Sequence, residues 1–464
     1  MSGKRENFSG RFAMIAAFAG SAIGLGNIWR FPYMVGENGG AAFIIIYLLC
    51  SLLVAMPIFF AESLLGRNSG AGLGTTMNKF FRGKSAMVMK VFFLLAPIII
   101  TSFYSVVGGW SLDYFIRSLA GGFIGVSREE SISFFGNFSS SAVEPLLTHI
   151  LFLLMSAFIV VKGLNGGIEK FNKITVPLLF ILILALVVYS FSLPRAMRGI
   201  NYLMKPDFAK ITPGVFASAM GQSFFSLSLG VGTILVYSSY MKKKDSIVGA
   251  GSWTVIFDTC FAVLAAFAII PAVFSAGIRP NAGPSLVFET LPFIFSSMKG
   301  VSPVVSYAMP IVFFFSILVA ALTSEISMLE VIVEYFVTEK KLSRKKATLI
   351  SFSICVALGC ICSLSFGPLS GIQIFGKNIF GILDMVSSNF LMILGSLFFS
   401  VLLNSVSSEN ILVGWKMDKK AVWEEFTNAG TSKPATKIFS FIYAWIRYVV
   451  PVLLMIIFIT NLMK

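Results

Sequence analysis

Two glycine-rich segments, residues 20–27 (GSAIGLGN) and 221–232 (GQSFFSLSLGVG), lie inside apolar runs long enough to cross a membrane. Because a glycine costs roughly 1 kcal/mol in a helix interior, such clusters indicate interrupted helices. An interruption at mid-membrane depth frees backbone groups that can bind ions and solutes, and Asn27 and Ser228 add polar side chains there. Close helix packing through small residues is the alternative explanation. The polar groups favour two broken helices that bind an ion and a solute.

Asp258 is the third candidate, because it lies in the apolar run 255–261 (VIFDTCF). An unpaired carboxylate there costs several kcal/mol or takes up a proton, so we expect a cation partner or hydrogen-bonded neighbours. The single histidine, His149, begins the fourth apolar run and is predicted to be interfacial. No nucleophile constellation, metal-ligand cluster or phosphate-binding loop is recognisable, so an enzyme is not expected.

The composition predicts that these residues lie in a membrane protein. Of 464 residues, 56% are hydrophobic and 12% charged, whereas soluble domains carry about 25% charged residues. The apolar runs do not alternate as barrel strands do, so they are predicted to be helices. We predict an all-α polytopic protein with eleven transmembrane helices, near residues 12–35, 41–65, 88–120, 147–162, 172–193, 214–240, 247–274, 304–337, 347–366, 378–404 and 439–463.

The basic residues predict the orientation. Lysine and arginine concentrate in alternate connecting segments, which favours a cytoplasmic amino terminus and a carboxyl terminus outside. The net charge of +15 is therefore attributed to topology rather than to nucleic-acid binding. The broken spans are the first and the sixth, so the second set of five helices begins on the opposite face of the membrane. The chain, 1–464, is predicted to be one transporter domain with inverted repeats 12–193 and 214–404 and an additional helix, 439–463.

The ordered motifs resemble a known family. The segment 20–32 (GSAIGLGNIWRFP), followed by 37–40 (ENGG), is similar to the signature of the neurotransmitter:sodium symporters, in their bacterial amino-acid transporter branch. Tyr104 in the third span, the segment 221–232 in the sixth and 320–324 (AALTS) in the eighth agree with the same family. The resemblance covers all ten core helices. It implies a leucine-transporter-like fold, sodium-coupled uptake and, by analogy, a bacterial inner membrane.

The resemblance also implies two sodium sites. An acid at Asp258 stands where chloride-dependent relatives have an asparagine with an anion nearby, so chloride independence is expected. Oxygen donors from unwound backbone suit a hard cation. The first site is expected to use Ala22, Asn27, Ser226, Asp258 and the substrate carboxylate, and the second Gly20, Ile23, Ala320, Thr323 and Ser324.

The implied substrate is a hydrophobic or aromatic α-amino acid. Gly24 stands where monoamine carriers place an aspartate, so a carboxylate could reach the amides of Leu25 and Gly26 and the hydroxyl of Tyr104. The ammonium group is expected to meet Ala22, Phe225, Ser226 and Ser228. The side-chain pocket is expected to be lined by Ser21, Ile100, Tyr104, Phe225, Val231, Ser324 and Met328.

The resemblance also implies which residues form the gates and the hinge. Arg30 and Asp384 match the outer gate, and Arg5 and Tyr240 the cytoplasmic one. The family is expected to have an acidic partner of Arg5 near the end of the eighth span, but this chain has Thr338 at that position. Glu339 or Glu334 are candidate substitutes. The glycine-x9-proline pair of Gly167 and Pro177 implies local unwinding.

Several alternatives remain at this stage. A sodium-coupled carrier of an osmolyte or γ-amino acid would have the same fold, and an ion channel is a further alternative. Apart from the lipid bilayer and a small-molecule amino acid, no partner is predicted, and the oligomeric state is left open.

Overall fold

A computed structural model describes residues 6–278, 286–297, 302–403 and 419–462. Within these ranges the chain is helical, and the only β-bridge is an isolated one. Arg5 lies outside the described residues. The helices are α1 (Arg11–Ala22), α2 (Gly26–Glu37), α3 (Ala41–Ser69), α4 (Leu73–Phe80), α5 (Gly83–Leu119), α6 (Arg128–Ser140), α7 (Glu144–Val160), α8 (Leu164–Ser192), α9 (Ala196–Met204), α10 (Pro213–Ser226), α11 (Thr233–Ser238), α12 (Ile247–Ser275), α13 (Leu286–Ser297), α14 (Pro303–Thr338), α15 (Arg344–Leu364), α16 (Ile379–Leu402), α17 (Lys419–Thr427) and α18 (Lys433–Leu462).

The all-α membrane architecture is confirmed. Among the described residues, eight helices are long and apolar enough to cross a membrane, or up to ten if two bent pairs each count as one span. The count of eleven stays a prediction, as does the division at 193 and 214. Several helices begin earlier than predicted: α5 starts at residue 83 and α18 at residue 433. Hydropathy marks only the apolar part of a helix, whereas the backbone hydrogen bonds continue through a polar first turn.

The first predicted interruption is present. α1 ends at Ala22, and Ile23 turns to an extended backbone with φ −74° and ψ 100°. α2 then starts with a π-helical turn, Gly26–Arg30, at an angle of 46° to α1. π-turns inside helices are frequent at functional sites, because they leave backbone groups without a regular partner.

The second interruption separates α10 from α11. Ser228, Gly230 and Gly232 all have positive φ values, of 52°, 78° and 82°. Glycine adopts this left-handed backbone without a steric cost. A side chain at Gly230 would also overlap the carbonyl of Met392 on α16, so the glycine allows this close approach.

Helix packing determines the surroundings of His149. Its side chain is fully buried, and its position at the membrane interface stays a prediction. Its imidazole lies against Gly359 on α15, where any side chain would overlap the ring, and its backbone lies against Gly109 on α5. Two glycines on distant helices therefore provide the space, and the local sequence around residue 149 does not reveal it.

The predicted hinge lies in a continuous helix. α8 begins with a π-helical turn, Leu164–Glu169, and continues through Pro177 to Ser192. A side chain at Gly167 would overlap the carbonyl of Ile159 on α7, so the glycine is needed for this packing. Unwinding between residues 167 and 177 stays a prediction.

Candidate functional site

The two helix interruptions meet at one backbone carbonyl. The oxygen of Ser21, in the last turn of α1, accepts hydrogen bonds from the hydroxyls of Ser228 at 3.0 Å and Ser324 at 3.1 Å. The last carbonyls of a helix have no partner within the helix. Here α14 and the segment between α10 and α11 supply the donors, so three elements are joined at this point.

Asp258, on α12, is fully buried and accepts three hydrogen bonds. Its Oδ1 accepts from Nδ2 of Asn27 and from the hydroxyl of Ser226, both at 2.7 Å. Its Oδ2 accepts from the hydroxyl of Tyr47 at 3.1 Å. The structure therefore brings together the three side chains predicted for the first cation site and adds Tyr47 of α3, which the sequence analysis did not predict.

The start of α2 offers amide groups to the interior. The amide of Leu25 donates to the hydroxyl of Tyr104 at 2.9 Å, and the amide of Gly24 donates to Oδ1 of Asn27 at 3.0 Å. On the other side, Gln222 of α10 donates to the carbonyl of Gly26 at 2.7 Å. The turn is therefore held from α5 and from α10.

Some of the oxygen ligands predicted for the second sodium site lie close together in the structure. The hydroxyl of Thr323 donates to the carbonyls of Ile23 at 2.9 Å and Ala320 at 2.8 Å. The carbonyl of Gly20 accepts no hydrogen bond from any described residue. The hydroxyl of Ser324 instead donates to Ser21. Carbonyl and hydroxyl oxygens without charge are the type of donor that suits a monovalent hard cation.

A small interior cavity, with a volume of about 20 Å³, lies between these groups. Its wall contains most of the predicted substrate residues, but not Ser21, Leu25 and Ser226. Met392 of α16 was not predicted to line it. The lining consists of Ala22, Gly24, Gly26, Ile100, Tyr104, Phe225, Ser228, Val231, Ser324, Met328 and Met392.

The cavity is covered at one end by Phe225, which is 8% exposed. The guanidinium of Arg30 lies 4.4 Å from the centre of the Phe225 ring, a distance typical of a cation–π contact. Arg30 also donates to the hydroxyl of Ser388 at 3.2 Å, which in turn donates to Asp384 at 3.0 Å. Arg30 and Asp384 themselves are 3.9 Å apart, so the two residues predicted to form the outer gate are in contact and are bridged by a serine.

A second cluster of polar side chains is formed by Tyr240, Glu330 and Arg344. The Tyr240 hydroxyl donates to Glu330 at 2.7 Å, and Arg344 forms an ion pair with the same carboxylate. Arg344 also donates to the carbonyl of Val160 at 2.8 Å. The pair formed by Glu330 and Arg344 was not predicted from the sequence.

Glu339, one of the two substitutes considered for the acidic partner of Arg5, has another partner. Burial opposes its ionisation, but Lys90 at 2.6 Å and the hydroxyl of Thr75 stabilise the carboxylate, and the net effect lowers the pKa of Glu339. The Thr338 hydroxyl donates to the backbone carbonyl of Glu334.

Glu62 is a further buried carboxylate, and it was not among the site residues predicted from the sequence. Its Oε1 accepts from the amide of Gly230 at 2.6 Å and so fixes the segment between α10 and α11. Its signal was present: an acid in an apolar run, as for Asp258. Met392 and Arg344 carry no such local signal, because only the tertiary packing brings them to the site.

A membrane-embedded helix bundle in which two broken helices enclose a closed cavity is typical of secondary transporters. The model of the sodium:neurotransmitter symporter family matches residues 5–127 and 124–464. The chain belongs to this family, which is a family of transporters rather than enzymes, and it is a multi-pass membrane protein.

Similar proteins agree with this assignment. An uncharacterized sodium-dependent transporter of Haemophilus influenzae is 35% identical over 99% of this chain and 98% of its own length. The uncharacterized sodium-dependent transporter YhdH of Bacillus subtilis is 33% identical over 98% and 97%. The crystal structure of MhsT in complex with L-phenylalanine has a TM-score of 0.87 and 34% identity, and covers 99% of this chain and 100% of MhsT.

Proposed function

We propose that the protein is a sodium-coupled symporter of hydrophobic or aromatic α-amino acids, which works by alternating access with two sodium ions and without chloride. The observation that carries the proposal is the small cavity at the crossing of two helix interruptions, lined by residues of the interrupted segments and by apolar side chains. Sodium dependence in the names of two relatives and the phenylalanine bound to MhsT support it.

The polar end of the cavity suits an α-amino acid. The amide of Leu25 and the hydroxyl of Tyr104 are paired with each other and could both donate to a substrate carboxylate. A side chain at Gly24 would overlap the hydroxyls of Tyr104 and Ser324, so this glycine keeps the carboxylate position open. The carbonyls of Ala22, Phe225 and Ser226 and the hydroxyl of Ser228 would accept from the ammonium group.

The other wall of the cavity suits an apolar side chain. Ile100, Val231, Met328 and Met392 line it, and methionines adapt their shape to different ligands. No charged side chain lines this cavity among the described residues. A lysine-like or glutamate-like substrate would therefore have no ion partner, which favours large hydrophobic amino acids.

Asp258 gives the first sodium site its charge. With Asn27, Ser226, the carbonyl of Ala22 and the substrate carboxylate, it would surround a cation with oxygen donors. Because the carboxylate of Asp258 supplies a fixed negative charge, no bound anion is needed beside it. The second sodium ion would be held by the carbonyls of Gly20, Ile23 and Ala320 and the hydroxyls of Thr323 and Ser324.

The two closed ends support alternating access across a cell membrane, with the amino terminus in the cytoplasm. Arg30, Asp384 and Phe225 would open on the outer side, and Tyr240, Glu330 and Arg344 on the cytoplasmic side. Each sodium ion that enters at −100 mV contributes about 2.3 kcal/mol from voltage alone. Unwinding of α8 between Gly167 and Pro177 would let water reach the second sodium ion.

A binding titration on the purified protein tests the proposal. The common amino acids, betaine and γ-aminobutyrate are compared in sodium and in potassium, each with chloride and with gluconate. We expect sodium-dependent, chloride-insensitive binding of large hydrophobic amino acids. Tightest binding of betaine or γ-aminobutyrate would instead indicate the osmolyte or γ-amino acid carrier, and binding that ignores sodium would contradict both assignments.

A further inference from the structure

Asn172, on α8, is a buried polar side chain without a partner. It is 0% exposed, and neither its Oδ1 nor its Nδ2 has a hydrogen-bond partner among the described residues. A buried amide left unpaired destabilises a fold, so native structures nearly always provide a partner. A bound ligand would supply the partner that Asn172 lacks among the described residues.

The carboxamide lies directly against Gly20. A side chain at Gly20 would overlap Oδ1 and Cγ of Asn172, with Oδ1 the nearest atom. Gly20 is in the last turn of α1, and its carbonyl accepts no hydrogen bond from any described residue. The neighbouring carbonyls of Ser21 and Ile23 do have donors, from Ser324 and Thr323. Two unpaired oxygen-bearing groups thus meet where α8 packs against α1.

We propose that Asn172 is an additional oxygen ligand of the cation at the second sodium site; this inference rests on the proposed function. The other expected donors of that site all come from α1, the residue after it and α14. Hard cations take several oxygen ligands, including amide oxygens. The side-chain oxygen of Asn172 would bring α8 into the same coordination sphere.

The consequence is a direct link between the ion and the predicted hinge. Asn172 lies between Gly167 and Pro177, the two residues expected to permit unwinding of α8. A bound sodium ion would hold α8 against α1, and unwinding of α8 would remove one ligand from the ion. Release of the ion and opening of α8 would then favour each other.

The alternative is that Asn172 only fills the space over Gly20, and substitutions separate the two roles. N172L keeps a similar volume without an oxygen, whereas N172D keeps an oxygen in place. The matched control is T175V, one helical turn later on α8, because Thr175 is buried and its hydroxyl donates to the carbonyl of Phe171 in its own helix.

The experiment measures thermal unfolding of the purified, substrate-free protein at increasing sodium, with potassium keeping the ionic strength constant. A ligand that binds the folded state raises the unfolding temperature. Without substrate the first site lacks the carboxylate that completes it, so the response mainly reports the second site. We expect N172L to raise the sodium concentration for half-maximal stabilisation roughly tenfold. N172D, which keeps an oxygen and adds a negative charge beside the ion, should respond to sodium at the same or a lower concentration than the wild type, and T175V should stay close to the wild type.

An unchanged sodium response in N172L would overturn the inference while leaving the second site in place. If N172L does not fold, N172A replaces it, with the same shift expected and the same result overturning the inference. Absence of sodium stabilisation in the wild type would count against the proposed function itself.

Discussion

The substitution D258N removes one negative charge from the proposed first sodium site with little change in shape. An asparagine carbonyl can take the place of Oδ1 and keep the hydrogen bonds from Asn27 and Ser226, both 2.7 Å long in the structure. The amide nitrogen would then face Tyr47, whose hydroxyl can rotate to accept a hydrogen bond. The variant should therefore fold, and its effect should be mainly electrostatic.

The size of the effect follows from Coulomb's law. A carboxylate that coordinates a sodium ion has its charge within about 4 Å of it, and at an effective dielectric constant of about 20 the two attract each other by about 4 kcal/mol. Because about 1.4 kcal/mol corresponds to a tenfold change in affinity, the apparent sodium affinity should fall by roughly a thousandfold. Chloride should restore part of this loss, since an anion can replace the missing charge.

The assay is a sodium titration of amino-acid binding, performed in chloride and in gluconate. The control is T259V, next to Asp258 on α12, because the Thr259 hydroxyl donates to the carbonyl of Val255 at 2.6 Å and plays no part in the site. T259V should behave as the wild type in both anions. A D258N variant with wild-type sodium affinity in gluconate would refute the electrostatic role of Asp258.

Three further substitutions test other parts of the account. Y104F removes a hydroxyl expected to donate to the substrate carboxylate, so substrate affinity should fall about ten- to hundredfold, measured by calorimetry, while sodium stabilisation persists. G24A places a carbon that overlaps two neighbouring hydroxyls, so amino-acid binding should disappear although the protein still folds. R344A leaves the buried carboxylate of Glu330 without its cation and should lower the free energy of unfolding by about 3 kcal/mol, whereas the exposed control K345A should not. Unchanged substrate affinity in Y104F, retained binding in G24A or an unchanged unfolding temperature in R344A would each contradict the corresponding role.

The helix interruptions and the surroundings of Asp258 could be anticipated from the sequence, because their signals are local. Glycine clusters inside apolar runs are costly in regular helices, and the structure has a break at each of the two segments. A carboxylate in an apolar run requires polar neighbours, and Asp258 has three. The same reasoning would have found Glu62.

The remaining features depend on tertiary packing and have no local signal. Met392 reaches the cavity because Gly230 allows α16 to approach closely, and His149 is buried because Gly359 and Gly109 leave room for it. Arg344 lies in a basic segment that is typical of the cytoplasmic end of a membrane span. In the structure it forms an ion pair with Glu330 on α14. Hydropathy also misses polar first turns, so several helix starts were placed too late.

Sodium-driven uptake into proteoliposomes is the most direct test of the central claim. Purified protein is reconstituted with potassium inside, and uptake of labelled L-phenylalanine is followed after dilution into sodium gluconate or potassium gluconate. The account predicts accumulation above the external concentration in sodium, loss of this accumulation with a sodium ionophore, and no accumulation in potassium. Equal uptake in both cations would contradict sodium coupling.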